Sequence, residues 1–289
     1  MKPPPFRYHA PGTVHEAVRI LAEEENAKVL AGGQSLIPLL NMRLAAPAHL
    51  VDINRIGGLD AVEVSDEGVR VGALARHARV ERDARVGELL REAVRHVAHP
   101  VIRNRGTVVG SLAHADPAAE LPAVLAVLGG SVEAESVRGR RTVAADELFL
   151  GPLESSLAHD ELVVEAFFPA LPERAGAAFV ETARRHGDYA LAGVAAVVGL
   201  DEDLRVTAAR AGYLSVDTKP LVIDLTGPAE EAQAGPGALD WSVAAAYARE
   251  RVEPEGDIHA SADYRRHLVG VLTERALRAA TERVLEGAR

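Results

Sequence analysis

Two segments constrain this chain more than any others: Leu30-Ala-Gly-Gly-Gln-Ser-Leu-Ile37 and Arg103-Asn-Arg-Gly-Thr-Val-Val-Gly-Ser-Leu-Ala-His-Ala-Asp-Pro-Ala-Ala-Glu-Leu-Pro122. Each falls where a strand pattern gives way to a helix pattern, so each predicts a tight turn with exposed backbone N–H groups. In the first, Gly32-Gly33 follows a short apolar run, and Ser35 stands where it would cap the apolar stretch 36–44. Two glycines let a ligand approach the backbone, and a helix start offers partial positive charge, a combination that suits a pyrophosphate. The same turn also serves as a plain helix cap that needs no ligand. The second segment crowds Thr107, Ser111, Asp116 and Glu120 among small residues, and carboxylates beside such a turn suit ribose hydroxyls. Asp116 followed by Pro117 also reads as an ordinary helix start.

The signatures that are missing narrow the field. No G-x-G-x-x-G fingerprint opens a helix, and G-x-x-x-x-G-K-[ST], G-x-S-x-G and H-E-x-x-H do not occur. The ordinary dinucleotide fold, P-loop kinases and the usual esterases and zinc proteases are therefore set aside. Cysteine is absent, so any thiolate-ligated iron–sulfur or zinc centre must belong to a partner. With 32 Lys+Arg against 42 Asp+Glu, a net charge of −10 and no long basic run, a nucleic-acid backbone is not an expected partner. The longest uncharged stretch, 29–42, is 14 residues and is too short to span a membrane. The Met-Lys-Pro-Pro-Pro-Phe start has no apolar signal core, so a cytoplasmic protein is expected.

A chain of 289 residues, 48 % apolar, accommodates one large domain or two ordinary ones. Thr13-Val-His-Glu16 has capping-box spacing and predicts a helix over 13–25. A strand, Gly turn, short helix and strand follow, ending at 50–53. A hairpin is expected over 61–71, a helix over 86–97, a buried helix over 118–128, and strands over 132–136, 140–143 and 162–168. After the Pro- and Gly-containing connection at 169–176 the rhythm changes to antiparallel strands over 177–183, 193–200 and 204–214. A polar linker is expected at 227–237, then helices over 243–251 and 264–285. The domains are read as 1–173, with subdomains of about 1–56 and 57–173, and 174–289.

Residues 31–53 and 106–122, with Gly187-Asp-Tyr-Ala-Leu-Ala-Gly-Val194 and Tyr264-Arg-Arg-His-Leu268, resemble the flavin-binding medium subunit of molybdenum-containing hydroxylases such as aerobic carbon monoxide dehydrogenase. The matches run in order over nearly the whole chain. The resemblance implies an α+β fold: a two-subdomain PCMH-type (vanillyl-alcohol-oxidase-like) FAD-binding domain, then a C-terminal antiparallel sheet plus helices like that of the carbon monoxide dehydrogenase flavoprotein. It implies FAD gripped by Leu30, Ala31, Gly32, Gly33, Gln34, Ser35, Leu36 and Ile37 of the first turn and by Thr107, Val108, Val109, Gly110 and Ser111 of the second. Asp116 and Glu120 would hold the ribose or nearby atoms, Val163 would pack on the cofactor, and Tyr189 would lie near the isoalloxazine. Two positions depart from the family pattern. Val109 stands where relatives commonly have Gly, which puts a side chain where backbone should approach phosphate. Val180 and Glu181 stand where relatives often carry a Lys.

The implied activity is electron transfer. Electrons from a molybdopterin large subunit would pass through iron–sulfur clusters of a small subunit to this FAD and on to an external acceptor, in a hetero-oligomer, with no catalytic side chain or metal ligand demanded of this chain. A stand-alone FAD-dependent oxidoreductase of the same fold and a non-catalytic assembly protein that has lost FAD are the alternatives. His96, His99 and His114 have spacings that invite metal ligation but lack a convincing third ligand. The runs Arg138, Arg140, Arg141 and Arg184, Arg185 read as solvated faces or docking patches, and Trp241 and Phe149 as core.

Overall fold

The computed structural model describes residues 1–235 and 237–287. The chain begins with β1 (Arg7–His9), α1 (Val14–Glu23), β2 (Ala27–Leu30), α2 (Leu36–Met42) and β3 (His49–Asp52), and the three strands form a parallel sheet in the order β1-β3-β2. Helix α1 starts as its sequence predicts. The Thr13 hydroxyl accepts from the Glu16 amide at 3.1 Å, and the Glu16 carboxylate reaches back to the Gly12 amide at 2.8 Å. Its apolar stripe buries Ala17, Val18 and Leu21. Ser35 does not cap α2 as expected: it already has helical angles, φ −98° and ψ −47°, and its hydroxyl makes no capping bond. An extended residue is what aims a cap oxygen at the first amides.

A second unit runs through β4 (Val62–Ser65), β5 (Gly68–Gly72), α3 (His77–Arg82), α4 (Glu88–His96), α5 (Pro100–Arg103), α6 (Val108–His114) and α7 (Glu120–Leu128). It continues through β6 (Ser131–Ser136), β7 (Gly139–Ala144), α8 (Ala145–Leu148), β8 (Phe149–Gly151), β9 (Glu154–Ser155) and β10 (Leu162–Pro169). Five strands form an antiparallel sheet in the order β4-β5-β10-β6-β7, while β8 and β9 pair with each other. Helix α7 begins at Glu120, later than expected. The Asp116 carboxylate accepts from the Ala118 amide at 2.9 Å, and this Asx turn occupies the two residues the sequence offered to the helix.

The remainder is a four-stranded meander, β11 (Ala175–Ala183), β12 (Ala190–Leu200), β13 (Val206–Leu214) and β14 (Leu221–Asp224), followed by α9 (Thr226–Ala232), α10 (Ser242–Arg251) and α11 (Ala262–Gly287). The expected polar linker at 227–237 therefore opens as a helix. Buried Ala229 anchors it, and the Thr226 hydroxyl accepts from the Ala209 amide of β13 at 3.0 Å. The architecture is α+β, as expected. One core fills the first two units and takes in Phe179, Ala190, Ala195 and Leu214 of the meander. A second, containing Tyr213, Trp241 and Leu272, lies between the meander and the last helices.

Candidate functional site

The two glycine turns meet. A Cβ on Gly32 would stand 2.8 Å from the Cα of Gly106 and against the carbonyl oxygen of Arg105, a contact no side chain tolerates, so only glycine lets these backbones touch. Gly33 has φ +73°, a left-handed angle that turns the chain from β2 into α2. The pair opens onto a cavity of about 390 Å³ lined by Leu30, Ala31, Gly32, Gly33, Gln34 and Ile37, with Pro38, Asp52, Asn54 and Arg105. Leu30 and Asp52 end the parallel strands β2 and β3, so the cavity lies beyond the carboxyl ends of the strands, the usual place for a ligand in a parallel sheet.

A polar network braces its floor. The Tyr8 hydroxyl donates to Asp52 at 2.6 Å, and Asp52 also accepts from the Asn54 amide at 2.9 Å. Burial opposes ionisation of Asp52, but the donors from Tyr8 and Asn54 outweigh it and hold the carboxyl below its usual range. The Asn54 side chain donates to the Ala31 carbonyl at 2.8 Å and accepts from Arg76 at 2.6 Å, while Arg76 also donates to the Arg105 carbonyl. One chain of hydrogen bonds thus ties the first glycine turn to the second.

The second turn presents backbone. Thr107 caps α6, its hydroxyl accepting from the Gly110 amide at 3.1 Å, and an antiparallel bridge joins it to Arg76. Val108 and Val109 are buried in the first core. Helix α6 turns the Val109 side chain inward. Ser111 is half-buried on the same helix. Ser35, Leu36 and the whole of 107–111 lie outside the lining of the cavity.

Asp116, Glu120, Glu181 and Tyr189 form a second group. Burial, helped by the charge of Glu181, pushes the Glu120 carboxyl up to about 8. Glu181 pairs with His96 (3.2 Å) through one carboxylate oxygen, and its other oxygen is buried without a partner. Tyr189 is 68 % exposed; partial burial of its hydroxyl and the carboxylates of Asp116 and Glu120 raise its pKa. Val163 is buried beside a β-bulge in β10. A neutral Glu120 can donate through its O–H as well as accept, while the orphan oxygen of Glu181 accepts, so the group can meet a ligand that offers both donors and acceptors.

Asp52, Asn54, Arg76 and Arg105 escaped the sequence reading. Asp52 and Asn54 flank the carboxyl end of a predicted strand, a signal that could have found them, whereas Arg76 is placed only by tertiary structure. His96, His99 and His114 do not converge: His96 meets Glu181, and His99 lies edge-on to His186 with ring centroids 5.9 Å apart. The arginine run at 138–141 is paired rather than free, Arg138 with Asp160, Arg140 with Glu135 and Arg141 with Glu161. Phe149 and Trp241 are core residues. Among the described residues no helix is long and apolar enough to cross a membrane.

Comparison with known proteins bears on this site. The family described as the FAD binding domain in molybdopterin dehydrogenase matches residues 4–171, and the CO dehydrogenase flavoprotein C-terminal domain matches 177–280. The 6-hydroxypseudooxynicotine dehydrogenase complex subunit alpha of Paenarthrobacter nicotinovorans is 42 % identical over 98 % of this chain and 97 % of its own length. The carbon monoxide dehydrogenase medium chain of Hydrogenophaga pseudoflava is 36 % identical over 98 % and 99 %. The crystal structure of quinoline 2-oxidoreductase from Pseudomonas putida 86 superposes with a TM-score of 0.90 at 36 % identity, covering 98 % of this chain and 99 % of that one.

Proposed function

The chain belongs to the FAD-binding medium-subunit family of molybdenum hydroxylases, and from that premise we propose that it conducts electrons from the iron–sulfur clusters of a small partner subunit, supplied by a molybdopterin large subunit, to an external acceptor. It is an oxidoreductase flavoprotein subunit, and its cofactor is FAD. FAD, when bound, supplies the redox chemistry. The chain's residues hold and surround it. Gly32 and Gly33 let backbone approach the pyrophosphate, and Arg105 at the cavity rim adds positive charge. Asp52, kept ionised by Tyr8 and Asn54, accepts from hydroxyl groups. In this reading 30–37 and 107–111 grip the cofactor, Asp116 and Glu120 receive hydroxyls, Val163 packs on it and Tyr189 covers its reactive end. Residues 1–173, divided near 56, carry the cofactor, and 174–289 bring Glu181 and Tyr189 to it. The substrate of the complex is then chosen by the large subunit.

The observation that carries this reading is the contact of Gly32 with Arg105 and Gly106, which sets the first glycine turn, at the cavity, against the residues that lead into the second. The test is an absorbance spectrum of the purified chain before and after FAD is added, with released cofactor identified by mass. The native chain is expected to hold one flavin and to co-purify with an iron–sulfur subunit when the complex is expressed together. Gly32→Val, which forces the backbones of the two turns apart, is expected to lose most of its flavin while the circular dichroism spectrum still shows a folded α+β chain. Full flavin in that variant would remove the first turn from the site. Flavin in the lone chain that an organic substrate reduces directly would favour a stand-alone oxidoreductase.

A further inference from the structure

At the other end of β3 from the cavity, three side chains from three elements converge. Parallel pairing of β1 and β3 sets Arg7 beside His49 and His9 beside Val51, so His9 and His49 share one face of the sheet, one step apart. Glu24, the C-cap of α1, reaches them from above, its amide held by the Ile20 carbonyl at 2.9 Å. His9 Nε2 lies 2.9 Å from His49 Nδ1, and Glu24 Oε2 lies 3.4 Å from His49 Nε2. One ligand atom from each of the three falls within 4.8 Å of the others.

We propose that His9, His49 and Glu24 bind one divalent ion of the zinc class. Two imidazoles and a carboxylate form a donor set that zinc accepts, with water in a fourth position, and the chain has no cysteine to offer instead. With metal–nitrogen bonds of about 2.0–2.1 Å, ring nitrogens 2.9 Å apart subtend roughly 90° at the ion, and opening to about 3.3 Å gives the tetrahedral angle. That adjustment is a few tenths of an ångström. Glu24 now faces His49 Nε2, on the far side of the ring from the ion, and its one-third exposed side chain has to swing to the Nδ1 side to become the third ligand, while His49 is 12 % exposed on β3. Without metal the two imidazoles share one hydrogen bond, and the Glu24 carboxylate stands 3.4 Å from the outer nitrogen of His49. The ion replaces the proton between the two rings. Its effect would be to clamp β1, an edge strand held by three residue pairs, to the rest of the sheet.

The test uses the tag-free, chelator-treated full chain with its FAD, titrated with Zn2+ by calorimetry and with Co2+ by visible absorption. One equivalent is expected to bind, Co2+ is expected to give the intense d–d bands of a low-coordinate site, and Zn2+ should raise the melting temperature. His9→Ala and His49→Ala should each weaken binding at least about tenfold and abolish that rise, with flavin content unchanged. Absence of binding by the native chain, or equal binding by His9→Ala, would overturn the site and leave a hydrogen-bonded histidine pair in its place. If His49→Ala fails to fold, His9→Ala and Glu24→Gln decide the question. Because flavin content is read separately, failure here is distinguishable from failure of the FAD assignment.

Discussion

Glu120 shows how one residue can carry both a site and a stability signature. It reads in the sequence as an acid beside a glycine turn, yet burial keeps it neutral up to about pH 8 while the unfolded chain ionises near 4.5. Below 4.5 both states hold the proton and the buried carboxyl contributes fully. As pH rises from 4.5 to 8 the unfolded state releases its proton first, and that contribution is lost. Glu120→Gln should remove this loss, making the variant more stable than the native chain at pH 8 by roughly 2–4 kcal/mol, with little difference at pH 4.5. Denaturant melts at the two pH values measure it, and equal gaps would place Glu120 outside the buried cluster. His77 acts in the opposite sense. Burial, with the charge of Arg103 nearby, lowers it to about 4, so stability falls as pH drops from 6.5 toward 4.

At the scale of elements, length and isolation separate what periodicity revealed from what it did not. Helices α1, α4, α7 and α11 carry enough apolar residues at helical spacing to be read directly, whereas α3, α5 and α8 have six, four and four residues. Such short pieces do not hold as helices alone; surrounding contacts make them. The strand β1 was hidden in a proline-rich start because its partner β3 is far along the chain. One joint between elements is open to test. Arg283 of α11 donates to Glu92 of α4 at 2.9 Å and to the Ala177 carbonyl, and Glu92 also accepts from the Phe179 amide at 3.2 Å. The side chains are three-quarters and four-fifths buried, so Arg283→Met should cost about 1–3 kcal/mol by leaving Glu92 without its main partner. Glu92→Gln combined with Arg283→Met should recover part of that loss, and urea melts of the single and double variants check the coupling.

At the scale of the whole molecule the two regions share interior. Phe179, Ala190 and Leu214 belong to the core of the first region, and Arg265 of α11 donates to the Ser215 carbonyl (2.9 Å) and to Asp257 (2.7 Å), fixing the last helix across the meander. Calorimetry of the full chain should therefore show one cooperative transition, and two separated ones would mean the shared core contributes little. The sequence by itself determined the two glycine turns and the longer helices and strands, because glycine placement and apolar periodicity act over a few residues, and its ordered motifs carried the resemblance that implied the α+β fold and the family. It also singled out Leu30 to Gly33, which line the cavity. Only tertiary structure decided that Gly32 rests on Gly106, that Arg76 and Asn54 bridge the turns, that Val109 faces inward, and that His9, His49 and Glu24 converge. Those contacts join residues far apart in the chain, and local preference sets neither their distance nor their burial; the packing of layers does.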